Sequence, residues 1–390
     1  MRIGWSRHLR LTRLRGAVTH RPGGFVLSTG AVHLSAEQLP HRVEDSLRQF
    51  FTSRSDLVDS VGNGYRQAVD TLEAFVLRGG KRVRPRFAWT GWLGAGGDPT
   101  GPDAEAVLQA CSALELVQAA ALVHDDIIDD STTRRGFPTV HVEFTEQHRK
   151  AGWHGRPEQF GESVAILLGD LALVWADDML HSAGLDPATV ARVVPPWTAM
   201  RTEVLGGQYL DIANEVAADE SVEAATRVNR FKTAAYTIER PLHIGAALAG
   251  ADDDLIAAYR RFGTDIGLAF QLRDDLLGVF GDPEVTGKPS GDDLRSGKRT
   301  VLYALALETA DASDPAAAEL LRTSIGTDLS DAQVEHLRSL LVDLGAVARI
   351  EDRISELTDS AFEALEASGA TEEGKALLRE SAVAATRRVA

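Results

Sequence analysis

Residues 116–136 read LVQAAALVHDDIIDDSTTRRG. The first half continues a helical pattern, with Val107, Leu114, Val117, Ala121 and Ile128 recurring in a run from Asp103 to Asp130. The second half holds four aspartates, Asp125, Asp126, Asp129 and Asp130, and then reverses sign at Arg134 and Arg135. On a helix Asp125 and Asp129 are four residues apart and share one face. Carboxylates that close repel, and near a helix C-terminus they also oppose the macrodipole. A solvated acidic end tolerates this at a few tenths of a kcal/mol per pair. A hard divalent cation offsets it far better, and oxygen-only ligands without a nearby cysteine suit magnesium. An EF-hand is excluded, because its loop places acids at alternate positions around a central glycine.

A second cluster has the same character. Residues 271–282 read QLRDDLLGVFGD, on a run marked by Phe262, Ile266, Phe270 and Leu277, and Asp292 and Asp293 follow. Two helices presenting Asp274–Asp275 and Asp125–Asp126 to a common interior are an arrangement known for metal sites in helix bundles. Magnesium keeps waters and completes its shell with substrate phosphates, which points to a polyphosphate ligand.

The distribution of cations agrees. Lysine occurs six times, at Lys81, Lys150, Lys232, Lys288, Lys298 and Lys375. Lys81 lies in RGGKRVRP (78–85), where Gly79 and Gly80 let backbone N–H groups approach a phosphate at a helix start. Lys232 is followed by Thr233, and Lys288 and Lys298 flank Asp292 and Asp293. Arg134 and Arg135 grip phosphate oxygens bidentately and keep their charge in any environment. The acids hold metal, the metal holds diphosphate, and the arginines take further oxygens.

The remainder of the 390 residues bounds this reading. The formal charge of −16 opposes non-specific nucleic-acid binding. Cys111 is the sole cysteine, so no intrachain disulfide forms, and it reads as a small apolar filler. No stretch approaches the roughly 18 apolar residues of a membrane span, and a soluble cytoplasmic protein is the default. Residues 1–36 contain Arg2, Arg7, Arg10, Arg13, Arg15 and Arg21 and no acid. They resemble a transit peptide in composition but lack a secretory apolar core, and they read as a disordered basic extension or an upstream-assigned start. From Ser35 onward the pattern is helical, with no period-two strand. Breaks are expected at Pro99–Pro102, Pro187, Pro195–Pro196 and Pro283–Pro289, and a long surface loop at residues 146–162. The expectation is one large all-α domain over residues 37–390.

The ordered segments RGGKRVRP, LVQAAALVHDDIIDDSTTRRGFPTVH, GGQYLD, FKTAAYT, FQLRDDLLGVFGD and GKPSGDDLRSGKRT resemble the trans-isoprenyl diphosphate synthases, the polyprenyl synthetase family. The likeness spans roughly residues 40–390. It implies a helical bundle with a central cavity, a homodimer, and about three magnesium ions per site. By the same resemblance the metal ligands are Asp125, Asp126, Asp129 and Asp274, with Asp275 and Asp293 acting through water. Lys81, Arg82, Gln118 and Arg135 correspond to the isopentenyl diphosphate site. Arg134, Lys232, Thr233, Gln271, Lys288 and Lys298 correspond to the allylic diphosphate site. Two departures stand out: Gly278 replaces an acid common in relatives, and Gln118 replaces a frequent histidine.

Such enzymes ionise an allylic diphosphate and let isopentenyl diphosphate attack the cation, without a protein nucleophile. His124 reads as a helix-lining or capping residue rather than a base. A class I terpene cyclase is disfavoured by Asp274–Asp275 and by RGGKR, and a non-catalytic partner subunit by the complete first cluster. Gln118, Ala121, Asp125 and Asp129 lie within about 40° of one face at 100° per residue. The resemblance makes Ala121 and Ala120 chain-length positions. Their small size implies a C20 product, with farnesyl or longer chains as alternatives, and Trp175 is a candidate floor.

Overall fold

The computed structural model describes residues 38–282 and 291–386. Residues 1–36, Lys288 and the break at Pro283–Pro289 lie outside the described residues. Within them the chain is almost entirely helical, as expected. It begins with α1 (Leu39–Ser53), α2 (Ser55–Val61), α3 (Asn63–Leu77) and α4 (Val83–Gly94). The run expected from Asp103 to Asp130 is broken at Ala113 into α5 (Ala104–Ser112) and α6 (Leu114–Ile128). Cys111 is fully buried on α5. The span 104–128 does have the length and hydropathy of a membrane span, contrary to the sequence reading. It is largely buried inside the protein, as a core helix is.

A short hairpin follows, β1 (Thr133–Arg134) paired antiparallel with β2 (Phe137–Pro138). No strand was expected, and two residues per strand are too few to show period-two alternation. The turn residues Arg135 and Gly136 both have positive φ, 54° and 78°, the combination that matches the twist of a two-residue hairpin.

The expected loop at 146–162 is mostly helix: α7 (Val140–Ala151) and α8 (Pro157–His181) leave only five residues between them. Phe144, His148, Trp153 and Phe160 form one aromatic cluster that packs the two helices together. Pro195 and Pro196 do not break the chain either; both lie inside α9 (Pro187–Ala217). Prolines cost a helix its hydrogen bonds, but Val193, Pro196, Trp197 and Met200 are buried here, and packing outweighs propensity.

After α10 (Val222–Val228) the helix widens into a π-helical segment, Asn229–Glu239, before α11 (Arg240–Ala249). The segment is wedged between α9 and α12 (Asp253–Phe280). Two glycines permit the approach. A Cβ at Gly207 would lie 2.2 Å from the Lys232 backbone nitrogen, and one at Gly267 would lie 2.6 Å from the Ala234 Cα. The far end is anchored by Glu239, fully buried and paired with Arg230 and Arg260. One face of α12 packs Tyr259, Phe262 and Ile266 toward α11 and α18 (Glu372–Thr386). Another packs Leu272, Leu276 and Val279 toward α14 (Val301–Ser313) and α17 (Ala346–Glu366). The short α13 (Asp292–Ser296) lies against α12, and α15 (Pro315–Ser324) and α16 (Asp331–Asp343) complete the C-terminal half.

Gly207→Ala therefore drives a methyl into the backbone of the π segment. The expected cost is about 1–3 kcal/mol, the range for overpacking a well-packed contact, seen as a lower melting temperature. An unchanged melting temperature would mean that the α9 contact is looser than described.

Candidate active site

The C-terminus of α6 carries the first aspartate cluster, and the hairpin folds Arg134 back over it. Arg134 donates from Nε to Asp126 Oδ1 at 2.6 Å and from Nη2 to Asp125 Oδ2 at 3.4 Å. From the π segment, Lys232 Nζ lies 3.1 Å from Asp125 Oδ1 and 2.5 Å from Asp211 Oδ2. Asp211 ends the GGQYLD motif on α9, and the sequence reading passed over its carboxylate. Lys298, on the segment after α13, joins the same field: its charge and that of Lys232 both act on Asp129. Lysines from two distant segments thus face the first cluster.

Asp126 is buried, and burial pushes its carboxyl up to about 6 despite Arg134. Its Oδ2 is buried without a hydrogen-bond partner. Such an oxygen is costly unless something binds it. Among the described residues no three acids or histidines gather around one point. Magnesium does not require a cage, since one or two carboxylates, waters and substrate phosphates suffice. The donor set is oxygen only, so the residues fit that ion.

The second cluster is held differently. Asp275 is buried on α12 and its two oxygens accept from Gln271 Nε2 (2.8 Å) and Asn229 Nδ2 (3.3 Å). Burial pushes its carboxyl up to about 7. Gln271, expected at the allylic diphosphate, is here engaged with Asp275. Asp274 is the less buried member of the pair, and Asp293 approaches α12 from α13, with Lys298 Nζ 3.7 Å from its Oδ1.

The basic loop separates into two groups. Arg82, placed with the isopentenyl diphosphate residues by resemblance, has a left-handed backbone (φ 47°) and a buried guanidinium. Its Nη1 donates to Glu115 Oε2 at 2.6 Å and to the Val76 carbonyl at 3.0 Å. Arg84, not singled out from sequence, stacks over the Tyr236 ring at 3.9 Å and donates to Thr237 Oγ1 at 2.8 Å. Tyr236 in turn donates to Gln118 Oε1 at 2.7 Å. The Gln118 amide nitrogen is thereby left to other acceptors. Arg135 donates to the Gly79 carbonyl at 2.8 Å and packs on Gly80, so the hairpin and the RGGK loop meet; Lys81 is exposed beside them. Thr233 is half-buried next to Lys232.

Ala120 is buried on α6 and Ala121 partly so. Trp175 is buried edge-on against Phe50 and Phe51 of α1, with ring centroids 6.0 and 5.7 Å away. His124 fills the space a side chain at Gly169 would need, and its Nε2 lies 3.2 Å from the Ile166 carbonyl. The same Nε2 is 3.7 Å from Asp170 Oδ1, so these contacts of His124 all join α6 to α8.

A sequence model of the polyprenyl synthetase family matches residues 66–341. The chain belongs to the polyprenyl synthetase family. It is a trans-prenyl diphosphate synthase, a transferase. Among solved structures this synthetase is similar to a geranylgeranyl pyrophosphate synthase from Corynebacterium glutamicum complexed with isoprenyl diphosphate and magnesium. The two share 49% identity and a TM-score of 0.87, covering 91% of this chain and all of that one. A geranylfarnesyl diphosphate synthase from Aeropyrum pernix is 33% identical over 71% of this chain and 80% of its own length. A geranylgeranyl diphosphate synthase from Mycobacterium tuberculosis is 35% identical over 72% and 75%.

Arg82, at the N-cap of α4, and Arg84, in its first turn, thus differ in kind. Glu115→Ala leaves the Arg82 charge buried and unpaired, and is expected to lower the stability of the synthetase by about 3–5 kcal/mol. Arg84→Met should leave the melting temperature near that of the wild type and raise the KM for isopentenyl diphosphate. Thermal melting and steady-state kinetics on both variants separate the roles; equal effects would contradict the division.

Proposed function

We propose that the enzyme condenses isopentenyl diphosphate with allylic diphosphates head to tail, chiefly to C20 geranylgeranyl diphosphate. Asp125, Asp126, Asp129 and Asp274 would hold magnesium, about three ions with the substrate phosphates completing the shells, and Asp275 and Asp293 would act through water. Bound magnesium supplies positive charge that stabilises the departing diphosphate. Arg134, Lys232 and Lys298 add fixed cations around the same group, with Lys288 and Thr233 assigned there by family likeness. Lys81, Arg84, Arg135 and Gln118 orient isopentenyl diphosphate, while Arg82 holds the loop on Glu115. The preorganised cations meet charge that develops as the allylic C–O bond breaks. The alkene of isopentenyl diphosphate attacks the allylic cation, and a proton then leaves to the departing diphosphate.

The observation that carries the C20 product is the pair of small residues, Ala120 and Ala121, below Asp125. His124 meets Gly169 and Gln109 meets the Met179 carbonyl, so α8 runs antiparallel to α5 and α6. Trp175 is therefore about 9 Å beyond Gly169 at 1.5 Å per residue, deeper than Ala121, and with Phe50 and Phe51 it is the candidate floor. The naming of the Corynebacterium glutamicum structure supports the same length. A longer product is the second reading, favoured by the Aeropyrum pernix relative.

A homodimer is part of the proposal. On α9, Leu205, Tyr209, Ile212 and Val216 form an exposed apolar stripe at helical spacing, with Tyr209 70% and Val216 84% exposed. Leu167 and Val174 extend apolar exposure onto α8, which Asp177 ties to Trp197 and Arg201 of α9. A second copy of this chain would cover that face. Residues 37–390 act as one catalytic domain in this reading, in the cytoplasm.

Asp125→Ala, or EDTA on the wild type, is expected to abolish incorporation of labelled isopentenyl diphosphate while helical circular dichroism persists. Full turnover by the variant in magnesium would refute the metal assignment. Ala121→Phe should shorten the product to C15 or C10, read by chromatography of the dephosphorylated alcohols. An unchanged product would place the growing chain elsewhere.

A further inference from the structure

Two lysines from distant segments face the first cluster, and each is delivered by the backbone beneath it. Lys298 lies in the short stretch between α13 and α14, its Nζ 3.7 Å from Asp293 Oδ1. That is an ion-pair distance, too long for a hydrogen bond, so its place is set by the chain on either side. Its own N–H donates to the Asp293 carbonyl at 3.1 Å. Two residues on, Thr300 caps α14 by accepting from the Tyr303 N–H at 3.3 Å. Between them Arg299 reaches to Glu220, in the turn from α9 to α10, and its Nη1 donates to Glu220 Oε1 at 3.2 Å.

Glu220 has more than one partner. The same carboxylate accepts from the Tyr303 hydroxyl at 3.3 Å and from Nε of Arg322, on α15, at 2.9 Å. Arg322 is itself fixed by bonds of 2.7 and 2.8 Å to the two oxygens of Asp311, on α14. A lone exposed ion pair contributes little and holds its geometry poorly. Three donors converging on a half-buried carboxylate hold it in one place. The next residue, Ser221, caps α10 by accepting from the Ala224 N–H at 3.1 Å. Helix α10 then runs directly into the π segment that carries Lys232. Glu220 therefore stands at the root of one lysine's segment and grips the chain neighbour of the other lysine.

We infer that Glu220 is a positioning residue for the allylic diphosphate: through Arg299 it sets where the Lys298 ammonium stands relative to Lys232. This deepens the proposed function, since it rests on the reading of Lys298 as a cation for that diphosphate. Among the described residues Glu220 pairs with neither lysine, so its effect passes through Arg299 and the backbone. An ammonium on a flexible four-carbon stem has no fixed direction of its own. Anchoring the adjacent guanidinium restricts the stem's origin, and with it the volume in which the charge can stand.

The test is steady-state kinetics of the full chain in magnesium, varying a C15 allylic diphosphate and isopentenyl diphosphate in turn. Glu220→Ala and Arg299→Ala should each raise the KM for the allylic diphosphate roughly 10-fold, the low end for a hydrogen bond to a charged group. Neither should move the KM for isopentenyl diphosphate. The double variant should match either single one, and neither change should add to Lys298→Ala, because all act through one ammonium. Glu220→Gln keeps an acceptor for Arg299 and should stay close to the wild type. Arg322→Ala leaves Arg299 in contact and should lower the melting temperature without moving either KM. A merely structural Glu220 would lower the melting temperature and the amount of active enzyme, and would leave both KM values alone. Three results overturn the inference: an unchanged allylic KM in Glu220→Ala or Arg299→Ala, equal rises in both KM values, or full additivity with Lys298→Ala. Should Glu220→Ala fail to fold by circular dichroism, Arg299→Ala, alone and with Lys298→Ala, still decides. If Lys298→Ala itself leaves the allylic KM unchanged, the reading of that lysine falls and the inference with it. A raised KM in Lys298→Ala with a wild-type KM in Arg299→Ala overturns the inference alone.

Discussion

The Lys232 ammonium, 3.1 Å from Asp125 and 2.5 Å from Asp211, is the contact on which the site depends. A protein with 57 acids against 41 lysines and arginines concentrates carboxylates where an anionic substrate must bind. Without fixed cations among them, both the acids and the diphosphate would be repelled. Burial works against the ammonium, yet Asp125 and Asp211 raise its pKa, so the charge persists. The lysine is a three-donor point charge, and its place is set by the backbone beneath it. That backbone is a π-helical segment, a geometry that recurs at functional sites.

The position of that segment is decided by the absence of side chains. Gly207 on α9 and Gly267 on α12 let two helices close on it from opposite sides. Lys232 and Asn229 are thereby delivered to different clusters, Lys232 to Asp125 and Asn229 to Asp275. One wedge therefore couples the two halves of the site. The glycines carry no chemistry, and their effect is wholly geometric.

Charge in this protein has two uses that the residue type alone does not distinguish. Arg82 and Glu115 form a buried pair that organises the turn into α4, where breaking the pair is costly although the pair itself adds little stability. Arg84 and Arg134 are half-buried and Arg135 is exposed. Partial desolvation still lowers the pKa of Arg135, but an arginine retains its charge under such a shift. In the proposed reading, the binding cations are those whose neighbours are an aromatic face, a carbonyl or a cluster that metal would neutralise, rather than a dedicated acid.

Local pattern carried much of this in the sequence. Apolar spacing specified the helices, because a 3.6-residue period must bury one face. The paired aspartates, the scarce lysines and the glycines before Lys81 were legible as polyphosphate chemistry, since charge of that density demands a counter-charge. What local pattern could not resolve were features set by partners distant in the chain. The helices over 146–162 exist because Phe144, His148, Trp153 and Phe160 meet, and Pro195–Pro196 remain helical because their neighbours are buried. Arg82 and Arg84 look alike as letters; Glu115, 33 residues away, claims the first, and Tyr236, on the π segment, stacks with the second. Gly278 reads as a missing acid until α13 brings Asp293 into its space. Residue types and apolar spacing thus specify which charges are available and that helices present them. Which of those charges face one another is set by the fold, because electrostatic and steric interactions depend on distance in space, and a sequence records only distance along the chain.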